Sequence, residues 1–286
     1  MPTYRYVVAD VFTDTPLTGN QLAVFTDARE IPEEALQPLA REMSFSETVF
    51  VYPPERGGHA RIRIFMPTAE VRFAGHPVLG TAFVLATPLQ LPEITLETGA
   101  GLVPVALERE DGRLSFGRMS QPVPTIALLE PVGELLAALG VERSELPVEV
   151  YDNGMANLYV ALSSEEAVAG LEPDFNSLAR LVHTRLLPVA GVNCFAGSGR
   201  RFKTRMFAPA EGVDEDPATG SAAGPLACHL ARHGLIAFGD EIEISQGVEL
   251  GRPSTLYARA EGSAERIDRV EVGGSAVVVA RGEFRL

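Results

Sequence analysis

Apolar residues recur along this chain mostly in short alternating or continuous runs bounded by turn residues, a pattern that predicts many strands and few long helices. Residues 4–12, 22–25, 45–52 and 61–66 read as strands, and 13–20 as a loop closed by Gly19-Asn20. Residues 32–43 open at a proline and carry Ala35, Leu36, Leu39 and Ala40 at the spacing of one helix face. A helix expected to run from His76 to about Ala86 is followed by two or three strands within 91–107 and 113–117. Residues 125–146, with a helix at 131–139, form a connector. The remainder predicts strands on either side of Asn153-Gly154 within 148–162, a helix at 175–183 and strands at 187–195 and 201–207. A helix at 218–233, stopped by Gly234, precedes strands at 241–244, 256–260 and 276–280. One long helix per half among many strands is an α+β order, not a βαβ series.

The chain also repeats itself. Phe73-Ala74-Gly75-His76-Pro77-Val78-Leu79-Gly80-Thr81-Ala82 follows a strand ending in Phe65-Met66-Pro67. Glu215-Asp216-Pro217-Ala218-Thr219-Gly220-Ser221-Ala222 likewise follows one ending in Phe207-Ala208-Pro209. Pro77 to Pro217 is an offset of 140 and Pro67 to Pro209 one of 142, so an indel of about two residues separates the copies. Two copies suggest paired lobes. Pro77 suits a first helical position, with His76 near the N-cap, and the first-turn amides of such a helix form an anion site. Two such helix starts facing across a cleft would hold a small carboxylate from both ends.

Length sets the scale for this reading: 286 residues, 46% of them hydrophobic, can fill two cores. The net charge of −14 argues against nucleic acid or an anionic membrane as partner, though not against a local site for a small anion. The N-terminus enters a strand pattern at once, with no signal-peptide character, and no apolar run approaches the ~20 residues of a membrane span. A cytoplasmic protein is the expectation. Cys194 and Cys228 match no disulfide framework or zinc motif. The single lysine, Lys203, lacks the glycines of a phosphate-binding loop, and no dinucleotide fingerprint occurs. The expected chemistry therefore uses side chains alone, without cofactor or metal.

Glu47 is the sharpest candidate. In a strand over 45–51 it shares a face with Phe45, Val49 and Val51, where desolvation would raise its pKa toward the range of a general acid and base. The alternative is that Phe50 marks the buried face and Glu47 is solvated. His76 and Asp216 gain weight from their places at the duplicated helix starts, although Asp216 before Pro217 also suits an ordinary N-cap. Gly75 and Gly220 would let backbone amides approach a ligand. His229 and His233 stand at i and i+4 beside Cys228, but no metalloprotease glutamate lies between them, and surface positions in a last helical turn are expected. Ser46 and Ser221 lie in no nucleophile elbow.

Four segments in order, Gly19-Asn20-Gln21-Leu22-Ala23-Val24-Phe25, Phe45-Ser46-Glu47-Thr48-Val49-Phe50, Phe73-Ala74-Gly75-His76-Pro77 with Gly80-Thr81-Ala82, and Glu215 through Ala222, make the chain resemble the PhzF-like family of phenazine-biosynthesis isomerases. The resemblance implies the diaminopimelate epimerase-like fold, in which two pseudo-symmetric lobes each curl an antiparallel sheet around a central helix. Residues 1–120 would form the first lobe and 121–275 the second, with a C-terminal strand at about 276–286 returning to the first. It also implies a homodimer that acts on a small carboxylate without metal or organic cofactor. Glu47 would shuttle the proton, His76 and Asp216 would assist, and Asn20, Gly75, Gly220 and Ser221 would bind substrate. Related racemases use two cysteines, and this chain has none within 73–81 or 212–222. The expected activity is a cofactor-independent isomerase that moves a proton and a double bond in a cyclic carboxylate. An epimerase or racemase, and a carboxylate-binding protein without turnover, are the alternatives.

Overall fold

The computed structural model of the chain describes residues 2–184 and 189–286. Its first half consists of β1 (Thr3–Val11), β2 (Asn20–Phe25), α1 (Glu33–Met43), β3 (Glu47–Tyr52), β4 (Ala60–Phe65) and β5 (Glu70–Val71), then a long helix, α2 (Gly75–Leu89), and β6 (Glu93–Thr98), β7 (Gly101–Glu110) and β8 (Arg113–Gln121). The second half contains β9 (Thr125–Leu128), α3 (Gly133–Leu139), β10 (Glu149–Asp152), β11 (Ala156–Ala161), α4 (Glu165–Ala169) and α5 (Phe175–His183). It continues through β12 (Gly191–Ser198), β13 (Arg201–Ala208), β14 (Val213–Asp216), α6 (Gly220–Arg232), β15 (Glu241–Gln246), β16 (Ser254–Gly262), β17 (Ile267–Gly274) and β18 (Ala276–Arg285).

Strand pairing repeats along with strand order. β3 runs parallel to β2 and antiparallel to β4, and β4 pairs with β5 and, in parallel, with β6, from which β7 and β8 meander. β11 through β17 repeat every step, including the parallel pairs β11–β12 and β13–β15. The repeats join where β8 meets β17 and again where β9 pairs with β10 and β18 with β1. All the strands thereby belong to one curled sheet in an α+β architecture.

That curl encloses the two long helices. Residues 75–83 of α2 and 220–231 of α6 are buried without interruption, as expected of helices that are apolar all round and fill a core. Their inner core takes in Leu22, Val49, Leu79, Phe195 and Leu226. A second cluster, including Phe25, Phe50 and Leu36, lies under α1, and a third, including Val160, Cys194 and Leu178, under the helices of the other half.

Several boundaries move relative to the sequence pattern. α2 starts at Gly75 with Ala74 as its N-cap, which makes His76 the second and Pro77 the third helical residue. Proline is tolerated there because none of the first-turn amides has an intrahelical acceptor. α6 starts at Gly220 with Thr219 as N-cap and ends at Arg232, so Pro217 precedes the helix and Asp216 closes β14 instead of capping. The true equivalence is therefore Gly75 with Gly220, an offset of 145, and not Gly80 with Gly220. Gly80 and Gly224 are packing glycines: a Cβ on Gly80 would lie 2.6 Å from Leu22 and Val11, and one on Gly224 would lie 2.5 Å from Val270. The strand expected from residue 187 is described from Gly191 onward; residues 187 and 188 lie outside the described residues. β17 and α4 were not anticipated. In β17, Glu271 is buried where the pattern suggests solvent, because Arg259 and Arg269 pair with it.

At the centre the two helix starts touch. A Cβ on Gly75 would stand 2.3 Å from the carbonyl carbon of Gly220 and 2.4 Å from the Ser221 nitrogen. Gly75→Ala is therefore expected to cost at least about 2 kcal/mol, because backbone must move on both sides. Gly133→Ala, at a helical glycine with nothing within 4 Å, should be neutral or slightly stabilising. Urea unfolding of both variants checks the contrast.

Candidate active site

β3 places Glu47 at the edge of this contact, on the buried face it was expected to share with Val49 and Val51. Both faces of β3 are buried: Val49 and Val51 point into the inner core, while Phe50 packs under α1. Glu47 is 7% exposed, and its Oε2 lies 3.4 Å from Nδ1 of His76. Burial raises its pKa well above the ordinary glutamate value, with a further rise from the Asp216 charge. His76 is pushed the other way, down to about 3, because its buried ring resists charging. The Glu47–His76 contact near neutral pH thus involves an uncharged imidazole. Among the described residues, His76 Nε2 is buried and has no hydrogen-bond partner.

Asp216 arrives from the other repeat at the end of β14. Its Oδ1 accepts from Ser46 Oγ at 2.8 Å and Asn20 Nδ2 at 2.8 Å, and its Oδ2 accepts from Thr219 Oγ1 at 2.6 Å. Burial raises its pKa, and these three donors partly oppose the rise. Asn20 also donates to the Ala218 carbonyl at 2.9 Å and lies 3.3 Å from His76 Nδ1. It stands behind the pocket wall as a bridge between the repeats, not in the wall where a substrate-binding role would put it. Ser221 does line the pocket, and its hydroxyl meets Met155 Sδ at 3.5 Å.

The resulting pocket is lined by Glu47, His76, Asp216, Gly75, Gly220 and Ser221 from the anticipated set. Ser46, Thr219, Met66, Met155, Met206, Ala190 and Ala208 complete most of the wall. Ser46 and Thr219 fall inside motifs already conspicuous in the sequence; the apolar wall had no such signal. Superposing the strand registers shows how the duplication built the pocket. Ile64 corresponds to Met206, and the same offset of 142 matches Met66 with Ala208. Pairing with those strands matches Val49 to Asn193, and hence Ser46 to Ala190 and Glu47 to Gly191. Val71, closing β5, corresponds to Asp216, closing β14. The carboxyls of Glu47 and Asp216 thus have no acidic counterparts. At Gly191 the space is taken by Met206, whose Cε would lie 2.1 Å from any Cβ there.

At the far end of α6 His229 is not a surface residue, and His233 is half-buried. His229 is fully buried, and its Nδ1 lies 3.1 Å from Glu149 Oε2, as does His233 Nε2. Arg232 and Tyr151 donate to that same oxygen at 2.8 Å each. A guanidinium on the shared oxygen occupies the place a divalent cation would need, so the group is a hydrogen-bonded anchor tying α6 to β10.

A family model described as phenazine biosynthesis-like protein matches residues 9–282. The chain is 51% identical to trans-2,3-dihydro-3-hydroxyanthranilate isomerase of Pseudomonas aeruginosa, over 99% of this chain and 100% of that one. In fold it is similar to a phenazine biosynthesis protein of the PhzF family from Bacillus anthracis, with TM-score 0.86, 24% identity and full coverage of both chains. It is also similar to a proline racemase homologue from Agrobacterium radiobacter, with TM-score 0.73 and 14% identity over 99% and 93% of the two chains.

The opposed shifts of His76 and Glu47 predict opposite stability slopes. Unfolded histidine protonates near 6.5 and His76 in the fold only near 3, so the unfolded state holds more protons in between and stability falls as pH falls through that window. Glu47 keeps its proton above 4.5, where the unfolded side chain has lost it, so its contribution falls as pH rises. Urea midpoints between pH 4 and 8 should show a shallower acid-side decline in His76→Gln than in wild type. Glu47→Gln should gain stability at pH 8 relative to pH 5.

Proposed function

This chain belongs to the phenazine biosynthesis-like protein family and is an isomerase, and we propose that it moves a carbon-bound proton, and with it a double bond, in trans-2,3-dihydro-3-hydroxyanthranilate or a closely similar cyclic amino-carboxylate. The observation that carries this reading is a buried pocket carboxyl, Glu47, whose counterpart in the other repeat is Gly191.

The substrate carboxylate docks at the first-turn amides of α2 and α6, whose Gly75 and Gly220 both line the pocket. Glu47, in its ionised form, takes a proton from a ring carbon. Negative charge spreads into the conjugated carboxylate and is met by the two helix N-termini. The same carboxyl, now protonated, returns the proton to another carbon on the same face, so the double bond shifts and Glu47 is regenerated. Its raised pKa narrows the gap between base and carbon acid. His76 supplies an uncharged hydrogen-bonding nitrogen, and Asp216, fixed by Asn20, Ser46 and Thr219, orients the polar substituents. An epimerase would need a second acid facing Glu47. Asp216 is the other carboxyl in the pocket, but both its oxygens accept hydrogen bonds from Asn20, Ser46 and Thr219, and the counterpart of Glu47 itself is Gly191, which favours isomerisation. A pure binding protein would gain nothing from a desolvated carboxyl, which costs stability. The enzyme is read as cytoplasmic on its sequence pattern and as a homodimer on the family resemblance; light scattering in solution tests the dimer.

Glu47→Gln should lower kcat/KM by roughly 10²–10⁴-fold, and the acid limb of the wild-type profile should lie above the ordinary glutamate range. In D₂O, NMR should show deuterium entering one face of the ring only. Label on both faces, or an unaffected Glu47→Gln, would overturn the single-base scheme.

A further inference from the structure

Gln246, the last residue of β15, touches no pocket surface, yet its amide holds the segment that carries Asp216. Its side chain is 2% exposed. Nε2 donates to the Asp216 carbonyl at 2.8 Å and to Thr219 Oγ1 at 2.9 Å, while Oε1 accepts from the Thr219 amide at 3.1 Å and from Thr204 Oγ1 at 3.3 Å. The next residue, Gly247, lies so close to the same turn that a Cβ there would be 2.5 Å from the Pro217 carbonyl oxygen. Thr219 in turn donates to Asp216 Oδ2, so one primary amide fixes both ends of the turn from Asp216 to Thr219.

The other repeat has no such device. Matching β6 to β15 by their parallel partners places Thr98 where Gln246 stands. Thr98 spends its hydroxyl on its own hairpin, accepting from the Ala100 amide and donating to the Gly101 carbonyl. The turn it might have held ends β5 at Val71, which has no charge to place. The amide is found only in the repeat whose turn presents a carboxylate.

We propose that Gln246 is a positioning residue of the isomerase, acting through Asp216 and Thr219 to hold the Asp216 carboxylate against Asn20 and Ser46 at the correct depth in the pocket. The inference rests on the functional reading above. Around Asp216 the titratable groups are Glu47 on β3, His76 on α2 and Glu215 beside it, the last paired with Arg205. Without the amide, the turn loses three of its anchors to β15, and Thr219 is free to rotate from Asp216 Oδ2.

The test compares wild type, Gln246→Met and Gln246→Glu. Gln246→Met keeps the volume and removes both donor and acceptor; kcat should fall at least tenfold with KM changed less than threefold. Gln246→Glu keeps the acceptor for the Thr219 amide, but it can donate to the Asp216 carbonyl only when protonated. Its kcat relative to wild type should therefore decline as pH rises, which a purely structural role would not produce. If Gln246→Met does not fold, Gln246→Glu decides alone. Equal kcat in all three, or a Gln246→Glu ratio flat with pH, overturns the proposal. A substrate-independent reading comes from ¹³C NMR of labelled aspartate, with the Asp216 carboxyl assigned by its loss in Asp216→Asn. Its titration should move in the Gln246 variants, and an unmoved titration also refutes the inference. Wild type without turnover would refute the isomerase reading while leaving this NMR comparison intact.

Discussion

Two helix N-termini in backbone contact are the constraint on which the rest of this molecule depends. α2 and α6 meet at Gly75 and Gly220, with no room for a Cβ at the first position. Two positive dipole ends brought together are unfavourable in isolation. What offsets them is negative charge or strong acceptors at the seam, and the fold supplies Glu47 and Asp216 on either side of it. On the proposed reading, one more anion sits in the pocket beside this contact. The sheet curls around both helices because residues 75–83 and 220–231 are buried on every side and need cover on every side.

Duplication explains the frame, and departures from duplication explain the chemistry. The repeats share strand order, parallel pairs and helix starts, yet every ionisable group in the pocket is unmatched. Glu47 faces a place held by glycine, and Asp216 corresponds to Val71. His76 shares the second helical position with Ser221. A symmetric pocket would carry two equivalent bases, suited to taking a proton from one face and giving it to the other. Here the lining sets unmatched polar groups among methionine and alanine side chains. Thioethers and methyls pack against a ring without competing for its protons.

Much of this was legible in the sequence, and the reasons are physical. Glycine and proline next to an apolar run mark a helix start whatever surrounds it, so the motifs at residues 73–82 and 215–222 located the seam. Their register was misjudged because Pro77 lies within the first turn and Pro217 lies before it, a difference set by backbone angles that residue identity does not encode. Glu47 looked ambiguous because alternation separates a buried face from a solvated one, and β3 is buried on both. His229 looked exposed because i, i+4 polar residues in a last turn usually are. Its burial depends on Glu149, eighty residues earlier and visible only once β10 packs beside α6. Gln246 carried no signal at all, since a single buried amide is recognised by what it bonds.

A net charge of −14 would not by itself suggest an enzyme for an anion. The two facts are compatible because their ranges differ. Surface carboxylates are hydrated and screened over about 10 Å at moderate salt. Many of them here are also paired with arginine, as Arg63 is with Glu33 and Glu70. The first-turn amides of α2 and α6 are desolvated and fixed, so their field acts at contact distance in a medium that screens weakly. Binding an anion from two backbone ends leaves the lone lysine, Lys203, out of the site, paired instead with Glu249 at 2.6 Å. Among the described residues it also leaves no cation beside Glu47, which would otherwise lower the pKa that burial raises. On the proposed reading, recognition by helix ends, not by arginine or lysine, lets one pocket hold a carboxylate and keep a carboxyl poised to exchange a proton with carbon.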